Sequence, residues 1–344
     1  MSVDLGRPVV VLRRGGRSAR VDRRAIVVCG VLLALLLALG SASLAVGTYH
    51  LSLGEVFSAL TGGGDRRAHT LVVEWRLPRL LFAIGCGAAL ALAGAVFQSL
   101  TRNPLGSPDV IGLDAGSYTG ALCVMLVVGS TSYSAIALGS IVGGLATAAA
   151  VYLLAYRRGA QGFRLIIVGI AVAAMLSSFN TYLMTRVSTE VAMLVSAWGA
   201  GSLSALGWSQ LVPFAIALAV LLPLLALVGR PLGQLELGDD AARAHGIRAE
   251  RVRLGAVLLG VAFAALVTAA AGPIAFIALV APQIAHRVAR TPGPSLAVSA
   301  LMGAVLLTAA DFLAQRIGVA TGLVTVTLGG LYLIWLLIRE YRRS

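Results

Sequence analysis

Apolar runs of roughly 20 residues recur along the chain, the length that crosses ~30 Å of hydrocarbon as a helix. They fall at 26–47, 79–99, 108–129, 134–155, 163–184, 209–229, 253–272, 275–289, 296–313 and 322–339. Apolar residues follow one another without the alternation of barrel strands, and hydrocarbon offers no partner for a free backbone group, so helices are predicted. The expected fold is an all-α polytopic membrane protein with about ten transmembrane helices. The eighth run is short and contains Pro282. An even number of spans puts both termini on one side.

The polar intervals divide the chain further. Residues 1–25 form an arginine-rich tail, expected to be disordered, ahead of a single transmembrane domain at 26–344. The tail and first run could pass for a signal peptide. The run is longer than a usual h-region and many spans follow, so it reads as an uncleaved first helix. Residues 48–78 hold an amphipathic piece, "LSLGEVFSAL", and a turn, "TGGGD"; residues 185–208 hold "WGAGSLSALGW". The most polar interval is "LGDDAARAHGIRAERVR", 237–253, where seven of seventeen residues are charged in a chain that is 12% charged. Gly238 can end one element, Asp239 can cap a short helix, and Gly246 can break it again.

Charge fixes an orientation. All 27 basic residues are arginine. With the N-terminus inside, 21 arginines lie on the inner side and 6 on the outer, the positive-inside pattern. That places 237–253 in the cytoplasm. Arginines at the ends of apolar runs also set aside nucleic-acid binding as the meaning of the net charge of +13. Without lysine the chain has neither a P-loop nor a Schiff-base amine. Cys29, Cys86 and Cys123 are scattered through apolar runs and read as small buried hydrophobes.

Catalytic constellations are missing. His50, His69, His245 and His286 are far apart, and no HExxH, GxSxG or paired intramembrane carboxylates stand out. Asp311 is read as the one acid within a span, near its end and paired with Arg316. A proton-coupled carrier would need an acid network, and a membrane enzyme would need a nucleophile, metal or acid–base set. Small residues such as Gly139 with Gly143, and Gly85, Gly87 and Ala91, point to close helix contacts.

Four stretches stand out together: "RLPRLLFAIGCGAALALAGAVFQSLTRNPLGSPDVIG" (76–112), "WGAGSL" (198–203), the charged interval 237–253, and "GPIAFIALVAPQIAHRVAR" (272–290). In this order and spacing they resemble the permease subunits of ABC importers for iron-siderophores, haem and vitamin B12, the FecCD-type, BtuC-like family. The resemblance covers essentially the whole chain after residue 25. It implies a type II ABC importer permease fold in a bacterial cytoplasmic membrane, with both termini cytoplasmic. It also implies a second permease subunit (a homologous chain or a second copy), two ATPase subunits, and a substrate-binding lipoprotein or periplasmic protein. ATP and Mg would be bound by the partner ATPase, leaving no cofactor, metal or catalytic residue in this chain.

The resemblance gives roles to positions. Within a coupling loop at 230–252, Gly238, Asp239, Asp240, Ala241, Ala242, Arg243 and Gly246 match the helices that dock into the ATPase; the alternative is a solvated loop. Arg76, Arg79 and Arg316 match outer arginines that pair with glutamates of the binding protein; the alternative is interfacial snorkelling. Asn103 and Leu105 in "RNPL" match a cytoplasmic gate; the alternative is a fixed structural turn. Many members read Pro-His at the start of the eighth span, where this chain has Pro282-Gln283, so no histidine role passes to Gln283. A ferric siderophore is the expected cargo, moved by the same kind of machine that moves haem or cobalamin.

Overall fold

The computed structural model describes residues 9–14, 17–47, 49–109, 112–155, 162–204, 206–291, 293 and 295–341. The expected spans are found as α1 (Arg23–Ala45), α4 (Leu77–Thr101), α5 (Leu113–Cys123), α6 (Tyr133–Ala155), α7 (Gly162–Met184), α9 (Trp208–Leu235), α11 (Ala249–Ala271), α12 (Ile277–Ala289), α13 (Leu296–Ile317) and α14 (Thr321–Tyr341). Short helices α2 (Leu53–Leu60), α3 (Arg66–His69), α8 (Thr189–Gly199) and α10 (Asp239–Ala244) lie between them. Seven of the spans are long and apolar enough to cross a membrane unaided; α5, α12 and α14 are shorter in apolar length.

Local chemistry explains the departures. The second span is longer than predicted: α3, a π-helical segment Thr70–Arg76 and α4 run on from Arg66 to Thr101. Pro78 lies inside this continuous run and removes one bond of its ladder; the Val73 carbonyl accepts instead from Trp208 Nε1 at 2.8 Å. The third span starts later than predicted, at Leu113, because Pro104 and Pro108 cannot continue a helix. α2 is set by a capping box: Ser52 N donates to Glu55 Oε2 at 2.7 Å and Glu55 N donates to Ser52 Oγ at 3.3 Å. The tail is not disordered where it is described. Strands β1 (Val9–Arg14) and β2 (Arg17–Asp22) form an antiparallel hairpin, with Val9 opposite Asp22 and Arg14 opposite Arg17.

The bundle has two ends. The end where α1 begins, called the N-side here, also holds the C-terminal ends of α4 and α9 and the start of α11. Arg24 Nε at the start of α1 donates to the Val288 carbonyl at 2.8 Å, so the C-terminal end of α12 lies here too. α4 is the central post, buried against α9, α11, α12 and α13. α1, α7 and α9 present mostly exposed apolar side chains outward, as expected where lipid or a partner takes the place of water.

Close helix contacts rest on residues without side chains. A Cβ on Gly87 would sit 2.3 Å from the Gly303 carbonyl oxygen of α13. One on Gly94 would sit 1.6 Å from the Ala278 oxygen of α12. That second contact has a local cause. Pro282 carries no N–H, so the Ala278 carbonyl four residues back loses its helical donor. The α-hydrogens of Gly94 fill the space beside it.

Candidate functional site

The N-side turn begins where α4 stops. Arg102 caps the helix in the left-handed region (φ 49°, ψ 33°). Asn103 Oδ1 accepts from Leu105 N at 2.9 Å, and Gly106 N donates to the Asn103 carbonyl at 2.9 Å. The turn is therefore closed by its own side chain, and Leu105 projects from it 45% exposed.

Two sets of hydrogen bonds tie this turn to neighbouring elements. On one side, Arg102 Nη2 donates to the Leu235 carbonyl at 2.6 Å and Ser99 Oγ donates to Glu236 Oε1 at 2.6 Å. Leu235 and Glu236 close α9 and lead into α10. On the other side, Gln283 Nε2 donates to Gln98 Oε1 at 2.8 Å and to the Pro104 carbonyl at 3.2 Å. Gln98 Nε2 donates in turn to the Leu279 carbonyl at 2.9 Å. A cavity of about 360 Å³ lies between the two sets, lined among others by Gln98, Asn103, Glu236 and Gln283.

The loop after α9 has the predicted shape, with two corrections. Gly238 (φ 115°) and Gly246 (φ 78°) both take backbone conformations that L side chains avoid, so they bracket α10 as expected. The cap, however, is Gly238 itself, and Asp239 is the first helical residue. Ala242 is fully buried (0%), packed with Leu235, Ala249, Ile247 and Val252 in a small core of the loop's own. Asp240, Arg243 and Ala244 are exposed, and Ala241 is half-buried. The Asp240–Arg243 pair at 3.4 Å lies on the surface, where such pairs contribute little.

At the opposite end the three expected arginines separate. Arg79 makes a two-pronged ion pair with Asp311: Nε to Oδ2 and Nη2 to Oδ1, both 2.9 Å. Asp311 is 2% exposed and also accepts from Thr321 Oγ1 at 2.7 Å and Gln315 Nε2 at 2.8 Å. The expected Asp311–Arg316 pairing is thus replaced by Asp311–Arg79. Arg76 donates to the Leu44 carbonyl at 2.6 Å and the Tyr49 carbonyl at 2.5 Å, holding the segment after α1. Arg316 is exposed, with its guanidinium 5.1 Å above the Phe312 ring. It lines a cavity of about 780 Å³ that also reaches Arg79, Ser202 and Ser204.

Two further acids lie inside the bundle. Asp109 Oδ2 accepts from Phe276 N at 3.1 Å, so the N-side loop holds the start of α12, where Phe276 has φ 70°. Asp114, in the first turn of α5, lines a cavity of about 590 Å³ with Tyr118, Ser177 and Asn180. Asp311 is therefore not the only acid within a span. Both lie after Pro108, where the reversal of the chain carries polar residues inward. Among the described residues no group of three or more His, Cys, Asp or Glu is placed to hold a metal.

This multi-pass, all-helical membrane domain has the fold of an ABC-importer permease. The chain belongs to the FecCD transport family, whose model matches residues 33–339. It is 47% identical to the ferric enterobactin transport system permease protein FepG of Escherichia coli (strain K12), over 94% of this chain and 99% of that one. It is 32% identical to the Fe(3+)-citrate import system permease protein YfmE of Bacillus subtilis (strain 168), over 95% and 99%. Among solved structures it is similar to a metal-chelate type ABC transporter in an inward-facing conformation, with a TM-score of 0.78 and 25% identity over 91% of this chain and 99% of that one.

Proposed function

We propose that this chain is the membrane-spanning subunit of an ABC importer that moves a ferric siderophore inward, using ATP hydrolysed on a partner chain. The observation that carries the reading is the pair of bonds from Arg102 to Leu235 and from Ser99 to Glu236. They join the turn bearing Asn103 and Leu105 to the segment entering α10, so a displacement of α10 is transmitted to that turn. The names of the relatives support an iron-chelate cargo.

In this reading the N-side is cytoplasmic and the exposed face of α10 docks on the ATPase, with Asp240, Arg243 and Ala244 outermost. A second permease completes the pathway, each permease carries one ATPase, and Mg-ATP binds there. A binding protein docks at the opposite face. Arg316 is the arginine available to meet its carboxylates, while Arg76 and Arg79 shape the surface from within. The test is reconstitution of the permease pair with its ATPase and binding protein in vesicles. Uptake of ferric enterobactin or ferric citrate that requires ATP and the ATPase is expected. Uptake without either would refute the reading.

A further inference from the structure

Gln283 follows a proline in a helix that leans on α4 through backbone contacts. Its amide reaches out of α12 toward two oxygens, Gln98 Oε1 and the Pro104 carbonyl, and both can only accept. The orientation of the Gln98 amide is fixed independently, because its nitrogen is needed by the Leu279 carbonyl. The two glutamines therefore interlock in one sense only. Pro104 stands between Asn103 and Leu105, so the second bond from Gln283 falls on the turn itself.

We propose that Gln98 and Gln283 form a latch that holds the 102–105 turn against α12 and must open when that turn moves. The proposal rests on the gate reading of Asn103 and Leu105. The chemistry suits a latch. A neutral amide pair contributes a modest bias, about 2- to 10-fold in an equilibrium for one net hydrogen bond. An ion pair in the same half-buried place would be harder to break and costly to leave open. The two anchors of the turn also differ in kind. Arg102 and Ser99 bind it to the segment entering α10, which would move it, and Gln283 binds it to α12, which would restrain it. Gln98 and Gln283 are positioning residues in this scheme, acting through the turn.

The test uses the complete reconstituted transporter with ferric enterobactin as probe. It reads ATP hydrolysed per probe imported, ATP hydrolysis without probe, and leak of preloaded probe without ATP. Gln283→Leu and Gln98→Leu are each expected to raise leak and probe-free hydrolysis about 2- to 10-fold. The double variant is expected to fall short of the sum of the two singles, since they share the Gln98–Gln283 bond while each also loses one of its own, to Leu279 or to Pro104. Gln283→His, which keeps an N–H donor, should recover tight coupling, a rescue that a purely structural role would not give. Should Gln283→Leu fold poorly, Gln283→Asn decides, because it keeps the amide but withdraws it by one methylene. Normal coupling in the folded glutamine variants overturns the latch, as does an additive double variant. Asn103→Ala and Leu105→Ala run in parallel. If they uncouple while the glutamine variants stay tight, the latch alone fails. If they too remain tight, the gate reading fails and the latch with it.

Discussion

Replacing Gly94 by alanine tests the α4–α12 contact on which the N-side turn depends. The added Cβ would lie 1.6 Å from the Ala278 oxygen, 2.5 Å from its carbonyl carbon and 3.0 Å from its Cα. A comfortable carbon–oxygen approach is about 3.3–3.6 Å, so the two helices must part by nearly 2 Å. Both sides of this clash are backbone, so no rotamer change relieves it. Overpacking that side chains can absorb costs about 1–3 kcal/mol; here the expected cost is about 3 kcal/mol or more. The same separation stretches the 2.8 Å Gln98–Gln283 bond one turn away beyond hydrogen-bonding range.

Two other glycines make the prediction graded. At Gly85 the nearest atom is Phe214 Cε1 at 2.7 Å, a ring edge that can swing aside, so Gly85→Ala should cost about 1 kcal/mol. At Gly30 nothing lies within 4 Å, and alanine there should be neutral or stabilising by up to about 1 kcal/mol through helix propensity. Thermal unfolding of the purified protein in detergent reads the order directly. Gly94→Ala should melt roughly 5 °C or more below the parent, at a few degrees per kcal/mol, and should uncouple transport. A Gly94→Ala protein that melts with the parent and transports normally would refute the packing argument.

Asp311→Ala leaves Arg79 half-buried and unpaired, and should destabilise by about 3–5 kcal/mol in the same melting assay; the double change Arg79→Met, Asp311→Leu should recover most of that. Arg316→Glu should leave the melting temperature unchanged while weakening binding-protein association measured with the permease in nanodiscs. Arg79→Glu should instead lower folded yield, because it faces Asp311 at 2.9 Å. In the loop that carries α10, Ala244→Trp on the exposed face should abolish co-purification of the ATPase from an otherwise stable protein. Ala242→Trp, set in the loop's own core, should in addition make the loop sensitive to limited proteolysis.

The ten spans were legible because hydrocarbon demands a local property, an uninterrupted apolar run, and each run can be read without its neighbours. The bracketing of α10 by Gly238 and Gly246 was legible for the same reason, since a positive φ is a demand on one residue. The β1–β2 hairpin carried a local signal too, Gly15-Gly16 between "VVVLRR" and "RSARVD". The weight of arginines there pointed to disorder instead. Partner choice was not local. Arg316 is five residues from Asp311 and looked like its mate, yet the carboxylate is taken by Arg79 from 232 residues away. Gln98 and Ser99 likewise find Leu279, Gln283 and Glu236 in the far half of the chain.

Gly94 and Pro282 show why such a site resists reading from sequence. A glycine in a membrane helix and a proline in a short one are each common enough to carry no message alone. Together they make one contact: the proline strips the Ala278 carbonyl of its donor, and the glycine is the only residue that lets α4 come beside it. That approach brings Gln98 within reach of Leu279 and Gln283, and so sets the position of the turn between them. Gln283 then looks less like a lost histidine than like the donor that this packing requires. Any residue in its place would have to offer an N–H to Gln98 Oε1 and the Pro104 carbonyl, or release the turn.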